Sequence, residues 1–112
     1  MTIPTESTLL RIFIGETDRH HGLPLHEAIV QQARAQHLAG ATVLRGAMGF
    51  GASSRLHTTK ILRLSTDLPL VIEIIDSEEK IQAFLPLLDP MMGGGLVTLE
   101  KVRVVHYRAP KD

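Results

Sequence analysis

The sequence predicts an α+β fold with the element order βαββαβ, the split-βαβ or ferredoxin-like arrangement on an antiparallel sheet. Three observations lead there. Two stretches carry apolar residues at helical spacing behind recognisable start signals. Four runs rich in branched aliphatic residues alternate with them in the order strand, helix, strand, strand, helix, strand. Glycine, proline or aspartate punctuates most of the junctions.

Residues 8–14, TLLRIFI, end at Gly15 and read as the first strand. A polar stretch from Glu16 to Gly22 follows. Pro24 suits the first turn of a helix, where its missing N–H would have no partner. Leu25, Ala28, Ile29 and Ala33 then recur at helical spacing, and Gly40 stands where a left-handed cap is expected, which predicts a helix over 24–38. ATVLRGAMGFG (41–51) begins as a second strand and becomes glycine-rich. The second half of 52–64 is able to pair back on it as an extended ribbon, with Asp67 and Pro69 marking a turn. LPLVIEIID (68–76) is the third strand and the most β-like run in the chain.

Ser77 offers an N-cap, and Glu78 and Glu79 suit the positive end of a helix dipole. Ile81, Phe84, Leu85 and Leu88 form a stripe at i, i+3, i+4 and i+7, giving a second helix over 78–88. Pro86 inside it predicts a kink or an irregular last turn. DPMMGGG (89–95) is a loop, and 96–108 is the last strand.

A sheet with helices on one side should alternate apolar and polar residues along each strand. These strands do not. Leu9, Arg11 and Phe13 oppose Leu10, Ile12 and Ile14; Val71, Glu73 and Ile75 oppose Leu70, Ile72 and Ile74; Arg103, Val105 and Tyr107 oppose Val102 and Val104. The second face is largely apolar, with Arg11, Glu73 and Arg103 embedded in it. Arg11 and Glu73 lie on neighbouring strands of this topology and are expected to pair. Such a face, with no local element to cover it, predicts a subunit interface carrying Leu9, Phe13, Val71, Ile75, Val105 and Tyr107.

Composition narrows the function. A chain of 112 residues, 44% hydrophobic and 21% charged, suits one globular domain spanning 1–112. Twelve basic residues balance twelve acidic ones, without the basic excess of an electrostatic nucleic-acid binder. The 4% aromatic content, with no aromatic residue in LPLVIEIID, disfavours RNA recognition by base stacking. No cysteine is present to form a disulfide, a thiolate nucleophile or a metal ligand. The N-terminus has neither a basic leader nor an apolar run long enough for a signal peptide or membrane span, so a soluble cytoplasmic protein without membrane insertion is expected. Six histidines lack metal-ligand spacing, and no metal site or cofactor is predicted. Ser53 and Ser54 near His57 do not form a nucleophile elbow, so no catalytic residues are assigned and the protein is not expected to be an enzyme.

Two glycine-rich segments carry the functional signal. Gly46, Gly49 and Gly51 follow a strand, and Gly93, Gly94 and Gly95 precede one. Glycine lets backbone N–H groups approach an anion closely. Arg45, Arg55, Lys60 and Arg63 surround the first segment, and Lys101 and Arg103 follow the second. GAMGFG does not open a helix, so it is not a dinucleotide fingerprint.

The segments LRIFIGETDRHHGLPLHEAIV, LAGATVLRGAMGFGASSRLHTTKILRLSTDLPLVIEIIDSEEKI and FLPLLDPMMGGGLVTLEKVRVVHY resemble the PII-like family of unknown function called domain of unknown function 190. The resemblance covers about 8–107, and GFGASSRLHT is its most specific piece. It implies a PII-like homotrimer related to the nitrogen regulatory PII proteins, which bind adenine nucleotides in clefts between subunits. In those proteins a G-F-G segment opens a long mobile loop, and a second glycine-rich loop precedes the last strand. Gly49, Phe50 and Gly51 match the first, and Gly93, Gly94 and Gly95 stand in the place of the second. Leu96 replaces a phosphate-contacting lysine, which favours mono- and diphosphates over triphosphates. The 52–68 loop has no tyrosine, so the uridylylation switch of enterobacterial PII proteins cannot operate there.

The expectation is a signalling protein that binds a small anionic ligand, foremost an adenine nucleotide, at subunit clefts. Its site would comprise Gly49, Phe50, Gly51, Gly93, Gly94 and Gly95, with Arg103 as charge partner. It would act on a transporter or an enzyme through the 52–68 loop. The alternative is a metal-responsive trimer of the copper-tolerance type, which shares the fold but is poorly served by these histidines.

Overall fold

The structure is a computed structural model that describes residues 2–50 and 67–109. Four strands, β1 (Glu6–Gly15), β4 (Thr42–Arg45), β5 (Pro69–Asp76) and β6 (Leu96–Arg103), form one antiparallel sheet in the order β4-β5-β1-β6. A small hairpin of β2 (Arg19–His20) and β3 (Leu23–Pro24) leads into helix α1 (Leu25–Ala35); α2 (Glu78–Leu88) follows β5 and ends in a 3-10 turn, Asp89–Met91. This is the predicted βαββαβ order with one hairpin added. No helix among the described residues is long and apolar enough to cross a membrane.

Alternation on the two central strands builds the core. Leu10, Ile12 and Ile14 of β1 pair with Ile74, Ile72 and Leu70 of β5 on the face packed by Ile29 and Ala33 of α1 and Ile81, Phe84 and Leu88 of α2. Helix α2 starts as its sequence dictates. The Ser77 side chain accepts the Lys80 N–H at 3.2 Å, and Glu78 and Glu79 lie in the first turn. Pro86 is accommodated inside the helix, and the irregular turn comes after Leu88.

Helix α1 ends three residues earlier than predicted, and Gly40 is not its left-handed residue. His37 takes that place at φ 60°, with its N–H donating to the Arg34 carbonyl. The Leu38 N–H donates to the Ala33 carbonyl, and the Leu38 side chain is buried. This is a Schellman ending in which the apolar contact, rather than a glycine, fixes the stop. The hairpin was hidden in the polar stretch 16–22. His21 (φ 49°) and Gly22 (φ 83°) both adopt the positive φ that a two-residue type I′ turn needs.

Strand β4 covers the beginning of 41–51, as expected, and the glycine-rich part at 46–50 leaves it as irregular chain; Gly51 and the expected ribbon at 52–64 lie outside the described residues. The last strand stops at Arg103 instead of running to 108. Its partner β1 begins at Glu6, and beyond that pair the Val104 N–H still donates to the Thr5 carbonyl at 2.7 Å before the chain leaves the sheet.

On the face away from the helices the expected Arg11–Glu73 pair is present, Nε to Oε2 at 2.9 Å, with Glu100 at 3.6 Å from the same guanidinium. Arg103 is not embedded there. Ser7 stands opposite Val102, and Leu9 opposite Glu100, so Val102 takes the open face and Arg103, opposite Glu6, the other. Val105 and Tyr107 follow the end of β6 and are not sheet residues. The open face therefore carries Leu9, Phe13, Val71, Ile75, Leu44 and Leu96 around a charged triad.

Candidate functional site

The two glycine segments arrive at one end of the sheet. Arg45 lies opposite Leu70 in the β4–β5 ladder, so the chain leaving β4 turns over the start of β5. The Gly46 N–H donates to the Pro69 carbonyl at 2.7 Å, and a Cβ on Gly46 or Gly49 would come within 2.8 or 3.1 Å of the Pro69 ring. Glycine is thus needed first for close passage over Pro69. Met48 and Phe50 project outward and are largely exposed.

The second segment enters β6 beside the end of β1. Gly95 has φ 99°, and a Cβ there would lie 2.5 Å from the Phe13 carbonyl oxygen. Gly93, by contrast, faces open space. Gly15 and Pro69 pair across β1 and β5, which places Gly49 and Gly95 about two strand spacings apart, roughly 10 Å. Gly51 lies outside the described residues.

The charges at this end are mostly committed. Arg45 bridges to Glu16. Asp18 accepts the Gly15 N–H at 2.9 Å, and Asp67 accepts the Thr17 hydroxyl at 3.0 Å. The Gly15 and Gly46 N–H groups at this end are engaged by Asp18 and the Pro69 carbonyl, and Arg45 is held by Glu16. Arg103 is not brought to this end within one protomer. It stands at the other end of β6 from Leu96, about 23 Å away at the usual strand rise.

Arg103 belongs instead to a cleft of about 570 Å³ at the opposite end. After β6 the chain crosses the end of the sheet, and Tyr107 Oη donates to the Ala39 carbonyl, ahead of β4, at 2.7 Å. The cleft lies between this crossing segment and the open face, lined by Thr42, Ile75, Val102, Val104 and His106 besides Arg103. Its size and mixed lining suit a small ligand. Sequence gives no sign of this cleft, because 96–108 alternates as one continuous strand while the chain in fact leaves the sheet after Arg103.

Among the described residues the histidines do not assemble, and His57 lies outside them. His20 and His21 stack edge to face at 4.2 Å, and His26 carries a buried Nδ1 without a hydrogen-bond partner. No three His, Cys, Asp or Glu residues converge among the described residues.

Comparison with known proteins accords with this architecture. The chain is 40% identical over 100 residues to a UPF0166 protein of Aquifex aeolicus, covering 88% of this chain and 92% of that one. It is 31% identical, with the same coverage, to a UPF0166 protein of Methanocaldococcus jannaschii. Among solved structures it is similar to CPII from Thiomonas intermedia K12 bound to ADP and bicarbonate, with TM-score 0.57, 16% identity and 90% of both chains covered. A functionally unknown protein from Pediococcus pentosaceus matches at TM-score 0.55 and 13% identity over 95% of this chain and 99% of that one. These structural likenesses show a shared PII-like fold. The family model for DUF190, described as Uncharacterized ACR, COG1993, matches residues 7–104, and the chain belongs to this DUF190 (UPF0166) family.

Proposed function

We propose that this protein is a PII-like regulator that binds an adenine nucleotide between subunits of a homotrimer. One observation carries the reading: the glycine segments lie at one end of the protomer, and Arg103 with its cleft lies at the other. A site holding both is complete only when the cleft end of one copy meets the glycine end of the next. The glycine end would contribute backbone donors around Gly49, Phe50, Gly93 and Gly94, and the neighbour an apolar wall with the exposed Arg103 at its rim. A cyclic arrangement of three copies closes such a head-to-tail contact. The apolar open face with its charged triad supplies the interior of that assembly.

The ADP bound by the similar CPII protein supports a nucleotide as ligand. Leu96 is 55% exposed beside the second glycine segment and gives no charge to a third phosphate, so AMP and ADP are favoured over ATP. The segment 52–68 reports occupancy to a transporter or enzyme, without catalysis by the regulator itself. Isothermal calorimetry with AMP, ADP and ATP tests the reading, with micromolar or weaker affinity expected, about −8 kcal/mol at most. Arg103→Ala and Gly49→Val should each abolish binding, and subunit exchange between the two variants should restore part of it by forming sites with both intact halves. No heat from any nucleotide at millimolar concentration would overturn the proposal.

A further inference from the structure

Which residue keeps the ligand cleft in shape is answered by the segment that walls it. Val104 to Tyr107 crosses the sheet end as a strap tied at both extremities. At its start the Val104 N–H donates to the Thr5 carbonyl, and at its end the Tyr107 hydroxyl donates to the Ala39 carbonyl, each at 2.7 Å. Between the ties Val105 is 92% exposed, so its side chain does not anchor the middle of the strap.

The acceptor of the second tie is held firmly. The Ala39 N–H donates to Oδ2 of Asp76 at 2.9 Å, and Asp76, 2% exposed at the end of β5, also accepts the Ser77 N–H at 2.7 Å. Two residues earlier, the His37 carbonyl accepts from Lys80 Nζ of α2 at 3.0 Å. The latch point is therefore fixed to the sheet and to α2, while the strap reaches it through one side chain.

We infer that Tyr107 is a positioning residue for the cleft: its phenol latches the strap to Ala39 and so holds the wall formed by Val104 and His106 opposite Thr42 and Ile75. The cleft is open with the latch made, so the closed strap is a wall and not a plug. Releasing it loosens ligand contacts and speeds dissociation. The ligand part of this inference rests on the function proposed above; the latch does not.

The test uses the full chain and its Tyr107→Phe variant. Trypsin should cut after Arg103 roughly three- to tenfold faster in the variant, the factor expected for loss of one neutral hydrogen bond. Calorimetry should show ADP affinity weakened by a similar factor, with the thermal midpoint lowered by about 3–5 °C, as loss of the same bond requires. Tyr107 is the only tyrosine and there is no tryptophan, so tyrosine emission of the parent comes from the latch residue and should change when ADP enters the cleft that it lines. Equal trypsin rates would overturn the latch. Faster cleavage with equal ADP affinity would overturn its role in the cleft. Parent protein that gives no heat with ADP, yet keeps the trypsin difference, would uphold the latch while defeating the nucleotide reading.

Discussion

Alanine at Gly95 and at Gly93 separates what the fold demands of the second glycine segment from what a ligand would demand. At Gly95 two penalties combine. Its φ of 99° is a conformation that side-chain-bearing residues adopt at a cost of roughly 1–3 kcal/mol. A Cβ would also lie 2.5 Å from the Phe13 carbonyl oxygen of the central strand β1, and relieving that contact shifts β1 against β6. Overpacking of this kind costs roughly 1–3 kcal/mol. Gly95→Ala should therefore lose about 2–6 kcal/mol, which at about 4 °C per kcal/mol lowers the thermal midpoint by about 8–24 °C. Gly93 has neither a positive φ nor any atom within 4 Å of a Cβ, so Gly93→Ala should stay within about 0.5 kcal/mol of the parent or gain slightly by restricting the unfolded chain. Thermal and urea unfolding followed by circular dichroism read both. A Gly95→Ala midpoint within 2 °C of the parent, a margin of about 0.5 kcal/mol, would refute the reasoning. So would an equal loss in both variants.

Phe84→Ala removes the largest fully buried side chain beneath the sheet and should cost about 3–5 kcal/mol in urea unfolding. Asp76→Ala leaves the Ala39 and Ser77 N–H groups without their acceptor and should cost about 2–4 kcal/mol, while Asp76→Asn, which keeps an acceptor oxygen, should cost less. Phe13→Asp or Ile75→Asp places a carboxylate on the open face and should lower the sedimenting mass to that of the monomer, a parent mass in either variant placing the interface elsewhere.

The central elements were legible because one force dominates them. In β1, β5 and α2, burial against a single core imposes a period of 2 or 3.6 that the side chains display directly. Helix α1 was legible in its face but not in its end, because Leu38 and Ala33 fix a Schellman stop that a search for glycine passes over. The hairpin at 19–24 depends on a His-Gly turn without flanking apolar alternation. The last strand reads longer than it is because its residues continue to alternate, while its length is matched to the partner strand β1, which begins at Glu6, far away in sequence. For the site, the glycines were visible as residue types, but sequence did not show that Gly46, Gly49 and Gly95 are demanded by Pro69 and Phe13. Nor did it show that Arg103 stands at the other end of the sheet beside a cleft.

That separation is what most needs testing, since the proposed site exists only between copies. Native mass spectrometry of the freshly purified protein, before and after addition of ADP, measures it directly. The account predicts a trimer that takes up as many as three ADP molecules, and an Arg103→Ala trimer that takes up none. A monomer that binds ADP, or a trimer unchanged by millimolar ADP, would contradict it.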